Sequence, residues 1–471
     1  MRHLQLAELR GSWSSWLAVS LVFVVSNFAL VLSALALLAG ARAMRTGEMD
    51  VLDSTALVVM PAINFLFSGL VGAVVIGSAT AMVLNARRGA LARLALSGAT
   101  PRQIAVTAML QLTVVSLSCS AVGSVLALIA LKPTLRFLAY ERSEAGTLMP
   151  TSVPVYSPWP ILVAVLFAVA VALVGGLRQV LASSRVAPVE ALREHARDGQ
   201  EIRMTLWRWI GVGFAGLAIA GGYASIPLYT SEPTKETISN LMLTSVMVLV
   251  VAAVPLALLA PLIVGPLTRA WSSLIPARSA SWELARRTVS ARATRLTRSV
   301  VPVMMTIGLL LGNLAIMGSL MSTLRRNGFD VNLSATGSAS LLMLLGLPLM
   351  ISLAGGVGSL IMMSRQRDAE LALLGIVGAT PRQRVTMPAL EALIITVTAL
   401  LMALIMVAAA LGIIAIGMPL AGYSLALDLP LGIFSITLGF VLIVTVASTV
   451  LPTLRARQRA EPGVIARLVV E

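Results

Sequence analysis

Ten long stretches with almost no charge set the terms on which this chain can fold. They cover residues 16–41, 54–85, 104–131, 159–177, 209–229, 238–267, 299–324, 338–364, 385–418 and 431–451. A helix rises about 1.5 Å per residue and a bilayer's hydrocarbon core is about 30 Å thick, so each stretch is long enough to cross it. The expected fold class is an all-α polytopic membrane protein with ten transmembrane helices. Composition agrees: 12% of the 471 residues are charged and 58% hydrophobic, with a mean hydropathy of +0.93. A soluble domain carries roughly a quarter charged residues, so composition nearly excludes a water-soluble enzyme. The first stretch is longer than a signal-peptide core and reads as a retained helix.

Basic residues orient the spans. With the N-terminus in the cytoplasm, the inner segments hold 27 arginines, among them Arg2, Arg10, Arg87, Arg102, Arg367, Arg382 and Arg384. The outer segments hold eight basic residues: Arg42, Arg45, Lys132, Arg136, Arg142, Lys235, Arg325 and Arg326. That asymmetry predicts both termini inside, in a bacterial cytoplasmic membrane. Trp13, Trp16, Trp207, Trp209, Trp271 and Trp282 are expected in an inner aromatic belt, and the five tyrosines near the outer face. The net charge of +15 then belongs to loops facing anionic lipid rather than to a nucleic-acid site.

Several chemistries lack their residues. Cys119 is the single cysteine, and His3 and His195 are the only histidines, which leaves no intrachain disulfide, no histidine metal cluster and no Ser-His-Asp constellation in the membrane. The chain carries no phosphate-binding Gly-x-x-x-x-Gly-Lys-Ser/Thr loop, and its two lysines, Lys132 and Lys235, fall on the outer side. The longest outer loop, about 132–158, carries Pro133, Pro150, Pro154 and Pro158 and is too short for a large folded domain.

An internal repeat organises the spans. Residues 86–103 and 366–383 match at ten of 18 positions, ending in an uninterrupted Gly-Ala-Thr-Pro-Arg-Gln at an offset of 280 residues. A second echo, Arg-x-x-Pro-x-x-x-x-Arg, occupies 185–193 and 459–467. The chain parses as a four-span unit (1–198), two linking spans (199–275) and a second four-span unit (276–471). Two units of equal orientation imply a pseudo-twofold axis along the membrane normal, with the functional interface between the halves.

The repeated segment has a readable local structure. Leu91 and Leu94, like Leu371 and Leu374, stand at i, i+3 spacing on short helices. Gly98 and Gly378 suit the glycine that ends a helix, and Thr100-Pro101 and Thr380-Pro381 suit an N-cap followed by proline in the first turn. Each segment should be a short amphipathic helix, a sharp bend, then a helix re-entering the membrane. Such a knob suits docking to a soluble partner.

These residues resemble the FtsX/MacB-type ABC transporter permease family. In the second copy Arg367, Glu370, Leu371, Leu374, Gly378, Ala379, Thr380, Arg382, Gln383 and Glu391 follow its pattern. In the first copy Arg87, Leu91, Leu94, Gly98, Ala99, Thr100, Arg102 and Gln103 follow it, with Ala90 and Gln111 where the second has Glu370 and Glu391. The arginine-rich run 286–298 resembles the family's amphipathic helix ahead of a bundle. Ten spans resemble the bacitracin-resistance type, whose large outer domain would fall at about 325–337, where this loop is short.

The resemblance implies no cofactor in this chain. ATP and Mg would be bound by a separate ATPase in two copies, one under each repeat. Closure of that ATPase pair would push the two short helices together, and spans one, two, seven and eight would carry the motion outward to an amphipathic drug, peptide or lipid substrate. A non-transporting mechanotransmitter acting on an extracytoplasmic or kinase partner, and a secondary carrier, are the competing readings. Glu391 is the one formally charged residue within the spans, expected to pair with Arg382 or Arg384 near the inner interface. Asn27, Asn64 and Asn313 are candidates for hydrogen bonds between helices.

Overall fold

The computed structural model describes residues 13–46, 51–87, 91, 94–96, 98–144, 154–184, 205–230, 235–276, 279–291, 293–328, 344–362, 378–429 and 431–457. In hydrocarbon each backbone N–H and C=O must be satisfied within its own segment, so apolar stretches of this length fold as helices. The described residues contain no strand. The helices are α1 (Trp13–Thr46), α2 (Val51–Ala86), α3 (Pro101–Glu144), α4 (Pro158–Ser184), α5 (Leu206–Ala224) and the short α6 (Ile226–Thr230). They continue as α7 (Lys235–Ser273), α8 (Ala280–Ala291), α9 (Ala293–Arg326), α10 (Leu344–Met362), α11 (Pro381–Leu420) and α12 (Leu431–Arg457). Ten segments, with α5 and α6 counted together, are long and apolar enough to cross a membrane.

The expected ten spans are therefore present, with ends displaced by a few residues. One expected loop begins later than the sequence suggested. Helix α3 runs through Pro133 to Glu144, so the first part of the expected 132–158 connection is helical.

In the first unit α1 packs on α2 and α3, and α4 closes against α2 and α3. Helix α3 approaches α1 closely at Gly123, where an added Cβ would lie 2.5 Å from the Val24 carbonyl oxygen and 3.0 Å from the Phe28 nitrogen. The Asn27 amide Nδ2 donates across this crossing to the Ser120 carbonyl (2.7 Å) and the Ser124 hydroxyl (2.8 Å). The equivalent crossing of α9 and α11 places Gly308 against Ala403 and Met406. Phe28 and Gly123 become Gly308 and Ala403 on adding the repeat offset. The same contact is thus preserved with its smallest residue moved to the other helix.

The linking pair associates with the second unit. Helix α7 packs on α9 and α11. Tyr223 and Ser245 donate from α5 and α7 to the α11 carbonyls of Ala409 and Ala410, each at 2.6 Å. Farther along, Trp271 Nε1 donates to Thr398 Oγ1 at 3.0 Å, and Thr268 lies 3.1 Å from the same hydroxyl. Covering α11 has a visible effect on burial. Ile394 and Met402 are fully enclosed, whereas their counterparts on α3, Val114 and Val122, are 56% and 53% exposed.

The halves meet along a seam of α1 and α2 against α9 and α10. Gly355 sits against Val75: an added Cβ would come 2.3 Å from Val75 Cγ1 and 3.3 Å from Pro302 Cβ. Val75 and Gly355 are themselves separated by the repeat offset. A residue that touches its own equivalent marks where a twofold axis passes. Gly358 of α10 packs on the backbone of Ala18 in α1, and Arg298 at the start of α9 donates to the Ala81 carbonyl in α2 at 3.0 Å. The start of α9 therefore lies beside the end of α2, and the end of α10 beside the start of α1. Both repeated turns, which follow α2 and α10, fall at the same end of the bundle.

Candidate coupling site at the paired bends

The two bends are built alike. Gly98 and Gly378 have φ of +94° and +97°, a left-handed conformation that a Cβ disfavours. At the first bend Gly98 N–H donates to the Ala95 carbonyl (3.0 Å) and Ala99 N–H to the Leu94 carbonyl (3.1 Å). This paired closure is the Schellman arrangement, which satisfies carbonyls left over at a helix end. Two residues on, Thr100 and Thr380 open the re-entering helices. Gln103 N–H donates to Thr100 Oγ1 at 3.4 Å, while Thr100 N–H donates to Gln103 Oε1 at 2.9 Å. Thr380 and Gln383 repeat this exchange at 3.3 and 2.9 Å. Such a capping box satisfies two orphan donors, and the proline between gives up no bond. The six-residue motif is thus a stop signal followed at once by a start signal.

The flanking residues divide by role. Leu91 is buried in the core and Leu94 packs against it, as the spacing predicted. Arg102 and Arg382 are exposed at the first turns of α3 and α11. Arg87 departs from expectation. It is 7% exposed, bonds the Gln111 side chain through Nη1, and lies 5.2 Å from the centroid of the Trp16 ring. Its charge is turned into the bundle, where the amide oxygen and the ring face offset the cost of burial. Arg87 therefore fastens α1, the end of α2 and α3 together, and does not offer its charge to a docking partner. Trp16 and Trp282, expected in the aromatic belt, are 3% and 7% exposed and belong to the core, while Trp207 and Trp209 are exposed.

Arg367, Glu370, Leu371 and Leu374 lie outside the described residues. Glu391, the sequence counterpart of Gln111, is 3% exposed. Asn64 is 6% exposed on α2, and Asn313 holds a buried Oδ1 with no hydrogen-bond partner on α9. Asn64 and Asn313 lie well along the spans, whereas Glu391 lies within the first three turns of α11. Glycines within the spans differ in their surroundings. Gly308, Gly312, Gly355 and Gly358 lie against neighbouring helices, whereas Gly72 has nothing within 4 Å of an added Cβ. No group of three or more His, Cys, Asp or Glu gathers among the described residues.

Helix α8 lies beside the second bend. It buries Trp282, Ala285 and Val289. Its opposite side carries Glu283, bridged at 2.6 Å by both Arg286 and Arg287. The hydrogen bond from Arg287 is the main reason that the Glu283 carboxyl lies below its ordinary range, with the neighbouring arginine charges adding to the effect. Sequence reasoning placed an amphipathic helix here but missed two features of the site. The Trp16 contact with Arg87 bridges residues far apart in sequence, and the Val75–Gly355 contact has a signal only in the repeat offset.

A search among curated proteins gave no match. The family profile described as FtsX-like permease C-terminal matches in two places, residues 62–188 and 342–460. The matched regions begin one repeat offset apart, each takes in the second to fourth spans of its unit, and together they cover more than half of the chain. Two matches on two equivalent bundles, each with the same bend, show that this chain belongs to the FtsX-like permease family.

Proposed function

We propose that the chain is the membrane subunit of an ABC transporter, coupled to two copies of a separate ATPase subunit that bind ATP and Mg and dock beneath the two bends. Family membership supports the permease-type role. The observation that carries the coupling is the pair of Gly-Ala-Thr-Pro-Arg-Gln bends at one end of the bundle, disposed about an axis through Val75 and Gly355. A closing ATPase pair delivers its motion at two related points, and this chain offers two related, rigidly capped turns. The exposed Arg102 and Arg382, with Arg367, Glu370, Leu371 and Leu374, form the docking surface. The arginine asymmetry supports a bend end facing the cytoplasm of a bacterial cell, with both termini there. The substrate is an amphipathic drug, peptide or lipid, exported or extracted from the membrane.

Co-expression with the cognate ATPase and reconstitution in nanodiscs tests this reading. We expect the ATPase to co-purify, and amphipathic compounds to raise its turnover. Loss of co-purification in Arg367→Glu and Glu370→Arg, with the spans still folded, locates the docking. Unchanged co-purification in both variants contradicts it. A second reading, motion passed to an extracytoplasmic or kinase partner without transport, is favoured by the close packing of the seam at Gly355 and Gly358. ATP turnover that no amphipathic compound alters, together with capture of such a partner, would select it.

A further inference from the structure

At the end of the bundle opposite the bends, an extended segment, 423–428, crosses the last turns of α9. Helix α11 stops at Leu420, and Gly422 follows at a φ of +82°. The Gly422 and Tyr423 N–H groups return to the Pro419 and Met418 carbonyls, each at 3.0 Å, a paired closure that turns the chain off the helix. Helix α12 begins at Leu431, so the segment joins two spans while lying on a third. Extended backbone satisfies none of its own polar groups, and at the edge of hydrocarbon they need partners.

Side chains of α9 supply them. Ser319, Ser322, Thr323, Arg326 and Asn327 stand at i, i+3, i+4, i+7 and i+8, on one face of the helix. Asn327 Oδ1 accepts from the Ser424 N–H at 3.0 Å, and its Nδ2 donates to the Ser424 carbonyl at 3.1 Å. Thr323 Oγ1 accepts from the Ala426 N–H at 3.1 Å and lies 3.2 Å from the Ala426 carbonyl, which Ser322 Oγ also reaches at 2.7 Å. Arg326 Nη1 donates to the Leu425 carbonyl at 3.1 Å, and Ser319 Oγ to the Asp428 carbonyl at 3.4 Å. Both backbone groups of the alternate residues Ser424 and Ala426 are thus held as a neighbouring strand would hold them. Tyr423 and Leu425, the other alternation, pack against the core.

The first unit lacks the residues for this ladder. One repeat offset back stand Ala39, Arg42, Ala43, Thr46 and Gly47, of which Ala39, Ala43 and Gly47 have no side-chain donor or acceptor. The Thr46 hydroxyl turns back to the Arg42 and Ala43 carbonyls of its own helix, at 3.2 and 3.3 Å.

We propose that segment 423–428 is a latch that fuses the far ends of α9, α11 and α12 into one moving body, a device confined to the second unit. The consequence for coupling rests on the reading that α9 carries motion away from the bends. A stroke of α9 then takes the α11–α12 connection with it, and the second unit does not open between these helices at its far end.

Hydrogen exchange of the full chain in nanodiscs, resolved to single amides, tests the latch without any partner. Asn327→Ala removes the side chain that holds Ser424, and Thr323→Val the hydroxyl that holds Ala426. A segment held as a unit responds as a unit, so either variant should speed exchange at both amides about tenfold, the loss of roughly one net hydrogen bond. The Tyr423 amide, held by the α11 turn, should keep its rate. Faster exchange confined to the altered partner in either variant, or no change, overturns the proposal. A second measurement addresses the motion. Asn327→Cys with Ser424→Cys ties the latch shut on oxidation, while the native Cys119 is buried elsewhere. In complex with the cognate ATPase, the oxidised pair should keep the ATP turnover of the reduced pair, because parts that already travel together lose nothing by being joined. Turnover that falls on oxidation and returns on reduction overturns the latch. An ATPase that does not co-purify with the unaltered chain counts against the docking reading alone, and the exchange result then decides the latch.

Discussion

At the scale of single residues, backbone conformation and buried charge decide what can be exchanged. Gly98 and Gly378 sit at positive φ with nothing within 4 Å of an added Cβ, so Gly→Ala at either bend isolates the conformational penalty, about 1 kcal/mol. Gly72 also has open space but lies inside α2, and there the same substitution should be neutral or slightly stabilising. Thermal unfolding of the three variants in one detergent checks the order. Arg87→Ala should cost about 2 kcal/mol, because it removes a charge-assisted bond and leaves the Gln111 amide enclosed. Gln111→Glu should instead be tolerated, since it places opposite the Arg87 guanidinium the residue that the second unit carries at Glu391. A larger loss for Gln111→Glu than for Arg87→Ala would contradict this assignment.

Glu283 gives a pH dependence whose sign is fixed. Its folded carboxyl is held below the ordinary range, chiefly by the hydrogen bond from Arg287. The ion pairs therefore stabilise the fold fully above the ordinary glutamate range. Their contribution is lost as pH falls below that range and through the depressed folded value. Carbon-detected NMR of the Glu283 carboxyl should report a depressed titration that Arg287→Ala moves upward. An unchanged midpoint in that variant would show that the Arg287 hydrogen bond is not the cause.

At the scale of elements, the spans were legible because their signal is local. An uncharged run of sufficient length is a helix wherever it lies, and all ten were placed within a few residues. The bends were legible for the same reason: Gly, Thr, Pro and Gln act on backbone groups one to four residues away. What sequence left hidden was pairwise and distant. Nothing local distinguishes Arg87, turned inward onto Trp16, from Arg102, turned outward. Nor does composition distinguish Val114, left bare on α3, from Ile394, covered by the linking pair. Pro133 was misleading as a loop signal, since α3 continues through it to Glu144.

The seam between halves makes its own prediction at this scale. Gly355→Ala should destabilise by about 1–3 kcal/mol through overpacking on Val75. Val75→Ala should recover part of that loss in the double variant, because the two positions share one contact. Strict additivity, measured by unfolding in detergent, would mean that the halves do not meet there.

At the scale of the whole molecule, duplication gives one chain two related bends at the same end of the bundle. The resemblance to FtsX-like permeases is legible in the sequence of the bends, and the doubled profile match agrees with it. The halves nevertheless differ. The second carries the linking helices on α11 and the Glu391 position, while the first carries the Arg87 fastening. Equivalent cuts should therefore have unequal effects. Disrupting 367–377 should weaken ATPase binding more than disrupting 87–97, where the first copy has Ala90 in place of Glu370. Equal losses, or the reverse order, would refute the asymmetry.

The most direct measurement is the mass of the purified complex formed with the cognate ATPase in its ATP-bound, hydrolysis-deficient form. The account predicts two ATPase subunits for each copy of this chain, reduced by substitutions at either bend. A complex holding a single ATPase, or none, would contradict it.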